Sequence, residues 1–222
     1  MMKYALVFLI TLFLLACKAP IQIIDKPIMF NEQRQQLTKA YLKDRYGIDG
    51  DSITIQPQMI VIHWTAIETI EESFDAFYNV TLPSWRPDIK NASGLNVSAH
   101  FLVDRDGSIY RLMPENVMGR HVIGLNHCAI GIENVGGTVQ WPLTKAQEKA
   151  NIQLIRYLSQ KYMIDYLIGH HEYTSFEEHP LWLEVDDGYR TVKTDPGEYF
   201  MKKIRKATKK FNFKPLPKKN NP

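Results

Sequence analysis

The apolar positions of this 222-residue chain change their period several times along its length. In NEQRQQLTKAYLKDRYG, Leu37, Ala40 and Tyr41 recur at helical spacing, with Asn31 suited to cap the start and Gly47 the end. Met59–Ile62 is an unbroken apolar run, the pattern of a strand buried on both faces, and it stops at a titratable ring, His63. Thr69 and Glu72 stand at capping-box spacing in ETIEESFDAFY and predict a short helix. Residues 79–96 carry two Pro, one Gly and three Asn, which predicts a long irregular loop. In NVSAHFLVDRDGSIYRLMP two alternating runs flank Asp106-Gly107, a hairpin signal. HCAIGIENVG predicts a further buried strand. Thr144 with Gln147 opens a helix that runs to about Tyr162, with Ala150, Leu154, Ile155 and Leu158 on one side. DYLIG predicts a strand with His170 just past its end, and a last helix spans about Glu198 to Lys210, with Phe200, Ile204 and Ala207 inward. Strands alternate with helices and no repeat or linker divides the chain, which predicts a single α/β domain: a mixed, mostly parallel β-sheet flanked by α-helices.

The first 17 residues depart from that pattern. Residues 4–16 are apolar and uncharged, behind a single Lys3. A membrane span needs roughly 20 such residues, so this run fits the apolar core of a signal peptide. It ends in Leu14-Leu15-Ala16-Cys17, which resembles the bacterial lipobox, with Cys17 as the lipid-modified first residue of the mature protein. The expectation is a signal peptide over 1–17, a tether over 18–30, the folded domain over 31–211, and a basic disordered tail over 212–222. It implies a lipoprotein held in the bacterial cell envelope, at the outer membrane facing the periplasm. The only other cysteine, Cys128, leaves no partner for a disulfide within the mature domain and reads as a core thiol.

Charge sharpens the contrast between the ends. The net charge is +3, yet residues 201–222 carry nine Lys or Arg and no acid, so the remainder holds 18 bases against 24 acids. A basic terminus fits an anionic surface such as lipid head groups, or a solvated helix end. No aromatic-interleaved basic face supports nucleic-acid binding.

Candidate chemistry gathers at comparable places in the pattern. His63 ends one strand, His170 follows another, and Asp195 lies in the loop before the last helix. In open α/β sheets, sites collect at the carboxyl ends of strands. Two imidazoles and a carboxylate suit Zn²⁺ with a fourth position left for water.

Five short stretches, VIHWTA, VSAHFLVDRDGSIYRL, AIGIENVGG, IGHHE and KTDPG, occur in this order. Together they resemble the zinc-dependent N-acetylmuramoyl-L-alanine amidases of the type 2 family, which share a fold with peptidoglycan recognition proteins. The resemblance covers roughly residues 56–205. It implies one Zn²⁺ on His63, His170 and Asp195, with His171 a rival for the second place; other members carry Cys at the third. It matches Glu133 in GIEN to a catalytic glutamate and Lys193 to a catalytic lysine. The plainer readings are a structurally paired carboxylate and a solvated loop lysine. His121 and Asn126 in GRHVIGLNHC match places where substrate contact is expected, although the neighbouring Trp and Ala-Gly of many relatives are absent; a loop hydrogen bond is the competing reading. His100 reads as structural or as support behind the ligands, and Trp64 and Trp85 as stacking platforms or core. The implied activity is hydrolysis of the amide between N-acetylmuramic acid and L-alanine in peptidoglycan or muropeptides, by a monomer. A non-catalytic recognition protein of the same fold is the alternative. A glycosidase pairing Glu133 with Asp195 leaves the two histidines unexplained.

Overall fold

The apolar runs become neighbouring strands in the computed structural model, which describes residues 20–83, 89 and 91–218. β2 (Met59–Ile62), β3 (Phe101–Val103), β5 (Ala129–Asn134) and β6 (Tyr166–Gly169) lie parallel in the spatial order β3–β5–β2–β6. β4 (Ile109–Arg111) returns antiparallel beside β3, and β1 (Ile24–Asp25) pairs with β4 at the edge. The β3–β4 turn closes with Gly107 N–H donating to the Asp104 carbonyl at 2.9 Å. Gly107 has φ +92°, and a Cβ there would stand 3.0 Å from the Ala146 carbonyl oxygen, so glycine is required on both counts.

Because strand side chains alternate, each sheet face collects its own layer. Ile60, Ile62, Phe101, Val103, Ile130 and Ile132 face α3 (Lys145–Lys161) and α4 (Glu198–Thr208), through Leu154, Leu158, Met201 and Ile204. On the other face, Met59, Val61, Ala129 and Ile168 pack against Leu125, Tyr173 and Phe176. Leu102 there meets Phe77 of α2 (Ile70–Tyr78). α1 (Glu32–Tyr46) adds Tyr41, Leu42 and Tyr46 against Leu95 and Met118.

Five expectations change, one of them in the last helix, where Ala207, expected inward, is exposed and Thr208 is buried instead. The buried side of α1 is Arg34, Thr38, Tyr41, Leu42 and Tyr46, while Ala40 is exposed and Leu37 only half-buried. Arg34 is buried because its guanidinium donates to the carbonyls of Met29, Phe77, Tyr78 and Asn79, capping the C-terminal end of α2. At the start of α2, Thr69 Oγ1 accepts from the Glu72 N–H, but Glu72 answers with its carboxylate to the Thr69 hydroxyl rather than to the backbone. The segment expected to be a tether packs where it is described: β1 pairs with β4, Ile28 is buried, and Ile21 and Ile23 lie on the core. The start of the expected disordered tail packs too. Lys214 N–H donates to the Asp165 carbonyl at 2.7 Å, and Phe213 and Leu216 rest on apolar clusters. The last helix ends at Thr208 and continues as a 3₁₀ turn over Lys209–Phe211. Cys17, Trp85 and residues 219–222 lie outside the described residues.

Gln147 shows how tightly α3 is tied to the sheet. Its amide donates to the carbonyls of Val103 and Val135 while its oxygen accepts from Thr144 N–H, completing a reciprocal capping box. Replacing Gln147 by Leu strands the Val135 carbonyl and the Thr144 amide, and leaves the Val103 carbonyl with the Val135 N–H alone. Stability should fall by about 1–3 kcal/mol, read as a lower urea midpoint at unchanged m; an unchanged midpoint would contradict this account.

Candidate functional site

The register of three parallel strands brings the site together. Ile62 of β2 pairs with Ile132 of β5 on one side and with Gly169 of β6 on the other. The next residues are His63, Glu133 and His170, so all three emerge at one level and toward one face, opposite to Ile62 and Ile132. The ladder continues through this level: His63 N–H donates to Ile132 O at 2.8 Å, and Asn134 N–H donates to His63 O at 3.1 Å. The Asn134 amide also donates to the His63 carbonyl, and Asn151 of α3 donates to Asn134 Oδ1. The helix layer thus holds the backbone that carries His63.

Asp195 closes over this row from the loop before α4. Its Oδ2 lies 3.0 Å from His170 Nδ1 and 3.3 Å from His63 Nδ1, and the two rings are 4.3 Å apart. One donor atom from each of His63, His170 and Asp195 falls within 4.8 Å of the others, and all three residues are buried. His171 takes a different part. Its backbone N–H and ring Nδ1 both lie 2.9 Å from the Asp195 carbonyl oxygen, so it pins the loop that presents the carboxylate. Burial opposes the charge of Asp195, but the hydrogen bond from His170 and the nearness of His63 outweigh it and hold the carboxyl below its usual range. Burial first, then the charge of His63, pulls His170 down to about 4 despite Asp195.

Glu133 and Lys193 line the same cavity, of about 370 Å³, with Trp64, Arg120 and Tyr189. Glu133 is 8% exposed. Lys193 is half-buried and close enough for its charge to depress His170. Its loop is braced at Thr191, which exchanges two backbone hydrogen bonds with the Tyr173 hydroxyl, and at Asp195 by His171. Arg120, which the sequence did not single out, spends its guanidinium on the carbonyls of Ile89, Ser93 and Leu95, fixing one wall of the cavity.

His121 and Asn126 line the cavity as well, but their polar atoms have protein partners. His121 Nδ1 lies 3.1 Å from His63 Nε2, and its Nε2 lies 3.2 Å from the Ala129 carbonyl. Burial, then the charge of His63, keeps His121 well below the usual imidazole range. Asn126 Oδ1 accepts from the N–H groups of His121 and Val122, and its amide donates to the Tyr46 hydroxyl, which matches the loop hydrogen bond weighed for it. His100 accepts from Gly131 N–H on Nδ1 and donates from Nε2 to Val117 O, a structural post. Trp64 is half-buried on the cavity rim, its ring against Gly137. Cys128 stands apart: buried, donating to Leu125 O, and pushed up to about 12 by burial.

These buried imidazoles set an acid limit. Burial pulls His100 and His127 down to about 4, as it does His170. Their folded values lie below the unfolded 6.5, so the unfolded chain takes up protons first. Their contribution is complete above about pH 6.5 and is lost as the pH falls toward 4. For metal-free protein the expected loss is on the order of 3 kcal/mol from His100 alone. Urea unfolding from pH 7 to 4.5 checks this; a flat profile would refute it.

The family model described as N-acetylmuramoyl-L-alanine amidase (Amidase_2) matches residues 53–198. The endolysin of Escherichia phage T7 is 32% identical over 116 residues, covering 46% of this chain and 77% of that protein. Peptidoglycan recognition protein 3 of Mus musculus is 34% identical over 118 residues, and the chain spans about a third (33%) of its length. The solved structure of N-acetylmuramoyl-L-alanine amidase LysC from Clostridium intestinale URNW aligns with a TM-score of 0.50 at 22% identity, over 87% of this chain and 99% of that one, a likeness of fold. The matched span runs from just before β2 to the start of α4 and contains every donor and cavity residue named for chemistry, and on it the chain belongs to the Amidase_2 family of N-acetylmuramoyl-L-alanine amidases.

Proposed function

We propose that this protein is a zinc hydrolase that cleaves the amide between the lactyl group of N-acetylmuramic acid and L-alanine, releasing stem peptides from peptidoglycan or muropeptides. One observation carries the reading: the three donors of His63, His170 and Asp195 converge in a cavity whose wall also holds Glu133 and Lys193. The donor set fits the ion. Two imidazole nitrogens and one carboxylate are borderline and hard ligands, they come from the ends of two strands and the loop before α4, and all three residues line the cavity. Bound there, zinc would supply a water of lowered pKa and a Lewis acid for the substrate carbonyl.

The chain's own groups divide the remaining work. Glu133, level with His63 on the next strand, takes a proton from the attacking water on a carboxylate oxygen and returns it to the departing alanine nitrogen. The Lys193 ammonium holds the negative charge that grows on the carbonyl oxygen. The wall fixed by Arg120 and the rim at Trp64 orient the chain of sugar and peptide and keep bulk water from the reacting bond. The recognition-protein alternative is supported by the mouse relative, but a surface kept only for binding has no use for a carboxylate and an ammonium beside a three-donor cluster. Attachment to the envelope through Cys17 is part of the same proposal, and it rests on the apolar run 4–16 and Leu14–Cys17.

Glu133→Gln should keep zinc and substrate affinity but lower turnover by roughly 10²–10⁴, the usual worth of a positioned general base. Muropeptide digestion followed by mass spectrometry, with metal analysis in parallel, measures both. Turnover within a few-fold of the parent would remove Glu133 from catalysis, and full activity after chelator treatment, or after His63→Ala, would end the zinc reading. For the anchor, Cys17→Ser should abolish labelling by a fatty-acid analogue and move the protein to the soluble fraction; unchanged fractionation and labelling would exclude it.

A further inference from the structure

We propose that His121 is a positioning residue that sets the tautomer and orientation of His63, and that Gly131 is a glycine because this ring must lie across it. The proposal rests on the zinc reading above and concerns how the first ligand is prepared.

With both rings neutral, the hydrogen-bond partners leave one arrangement at the His63–His121 contact. His121 Nε2 faces the carbonyl oxygen of Ala129 at 3.2 Å, and a carbonyl only accepts, so Nε2 carries the proton. A neutral His121 then offers a lone pair on Nδ1, which faces His63 Nε2 at 3.1 Å. His63 must donate there, and its single ring proton sits on Nε2. The Nδ1 lone pair of His63 is thereby aimed at the point shared with His170 Nδ1 and Asp195 Oδ2. Without His121, nothing among the described residues holds that proton on Nε2. It could move to Nδ1 and bond to Asp195 at 3.3 Å, which would occupy the nitrogen the metal needs. A partner on the far nitrogen of a metal-bound histidine commonly does this work, and its loss typically costs 10–100-fold in metal affinity.

The relay needs room inside the sheet. Gly131 lies in the middle of β5, where a glycine weakens a strand. A Cβ on it would stand 2.7 Å from His121 Cγ, 2.8 Å from Cδ2 and 2.9 Å from Nδ1, contacts that side chains do not make. Neither partner can yield. Gly131 N–H is held by His100 Nδ1 at 2.9 Å, and His121 N–H is held by Asn126 Oδ1 at 2.8 Å. The bare strand surface is therefore the seat of the ring.

Three measurements test this. Nitrogen-15 NMR of histidine-labelled, metal-free protein near pH 8 should find His63 protonated on Nε2. Chelator competition should give a zinc dissociation constant 10–100-fold weaker for His121→Ala. It should recover most of that loss in His121→Gln, whose amide can both accept from His63 and donate to Ala129. Gly131→Ala, which keeps every donor, should weaken zinc comparably by displacing the ring, so the idea survives if His121→Ala does not fold. A His63 proton on Nδ1 in the parent, or zinc affinity within twofold of the parent in His121→Ala and Gly131→Ala, overturns the inference and leaves the amidase reading standing. A parent that binds no zinc at all overturns both.

Discussion

The site depends on the hydrogen-bond ladder between β2 and its two parallel neighbours. With Ile62 opposite both Ile132 and Gly169, the residues that follow are brought level by the backbone alone. Parallel strands about 4.8 Å apart set two imidazoles at a separation that suits a shared ion, before any side chain adjusts. A slip of one residue in either ladder would send His170 or Glu133 to the opposite face, into the layer occupied by Leu154 and Ile204. Fold and chemistry are thus specified by one set of bonds, and the continuous burial of β2, β5 and β6 on both faces makes that register costly to lose.

Around the ladder, polar groups that look misplaced in the core turn out to be fasteners. Gln147 and Asn151 reach from α3 to the carbonyls and amides at the ends of β3 and β5, and Asn134 passes the hold on to the His63 carbonyl. Arg120 and Arg34 do the same for the other layer by gathering main-chain carbonyls. These donors meet acceptors that have lost water, so the contacts select one arrangement rather than merely adding attraction.

Much of this was legible in the residues. The apolar runs ending at His63 and His170, the Asp106-Gly107 turn and the caps at Asn31 and Thr144 act locally, so a local pattern reports them. What escaped acts at a distance. Arg34 reads as polar surface until the end of α2 is placed over it, and a two-residue edge strand such as β1 is too short to show any period. The resemblance of GRHVIGLNHC offers His121 as a substrate contact or a loop hydrogen bond, and its sequence neighbours say nothing of β5. The available signal was Gly131: a glycine inside an otherwise apolar strand marks a close approach, and the approaching group is that imidazole.

The donor cluster is also notable for an element it lacks. Sulfur is absent from it, since Asp195 stands where relatives of this kind can carry a cysteine. The sole cysteine among the described residues, Cys128, is sealed under Leu125 and held as the thiol. Oxidants act on thiolates and exposed sulfur, so peroxide or disulfide exchange finds no foothold in either the cluster or the core around it. Imidazole and carboxylate donors likewise give thiophilic ions such as cadmium or mercury no special advantage.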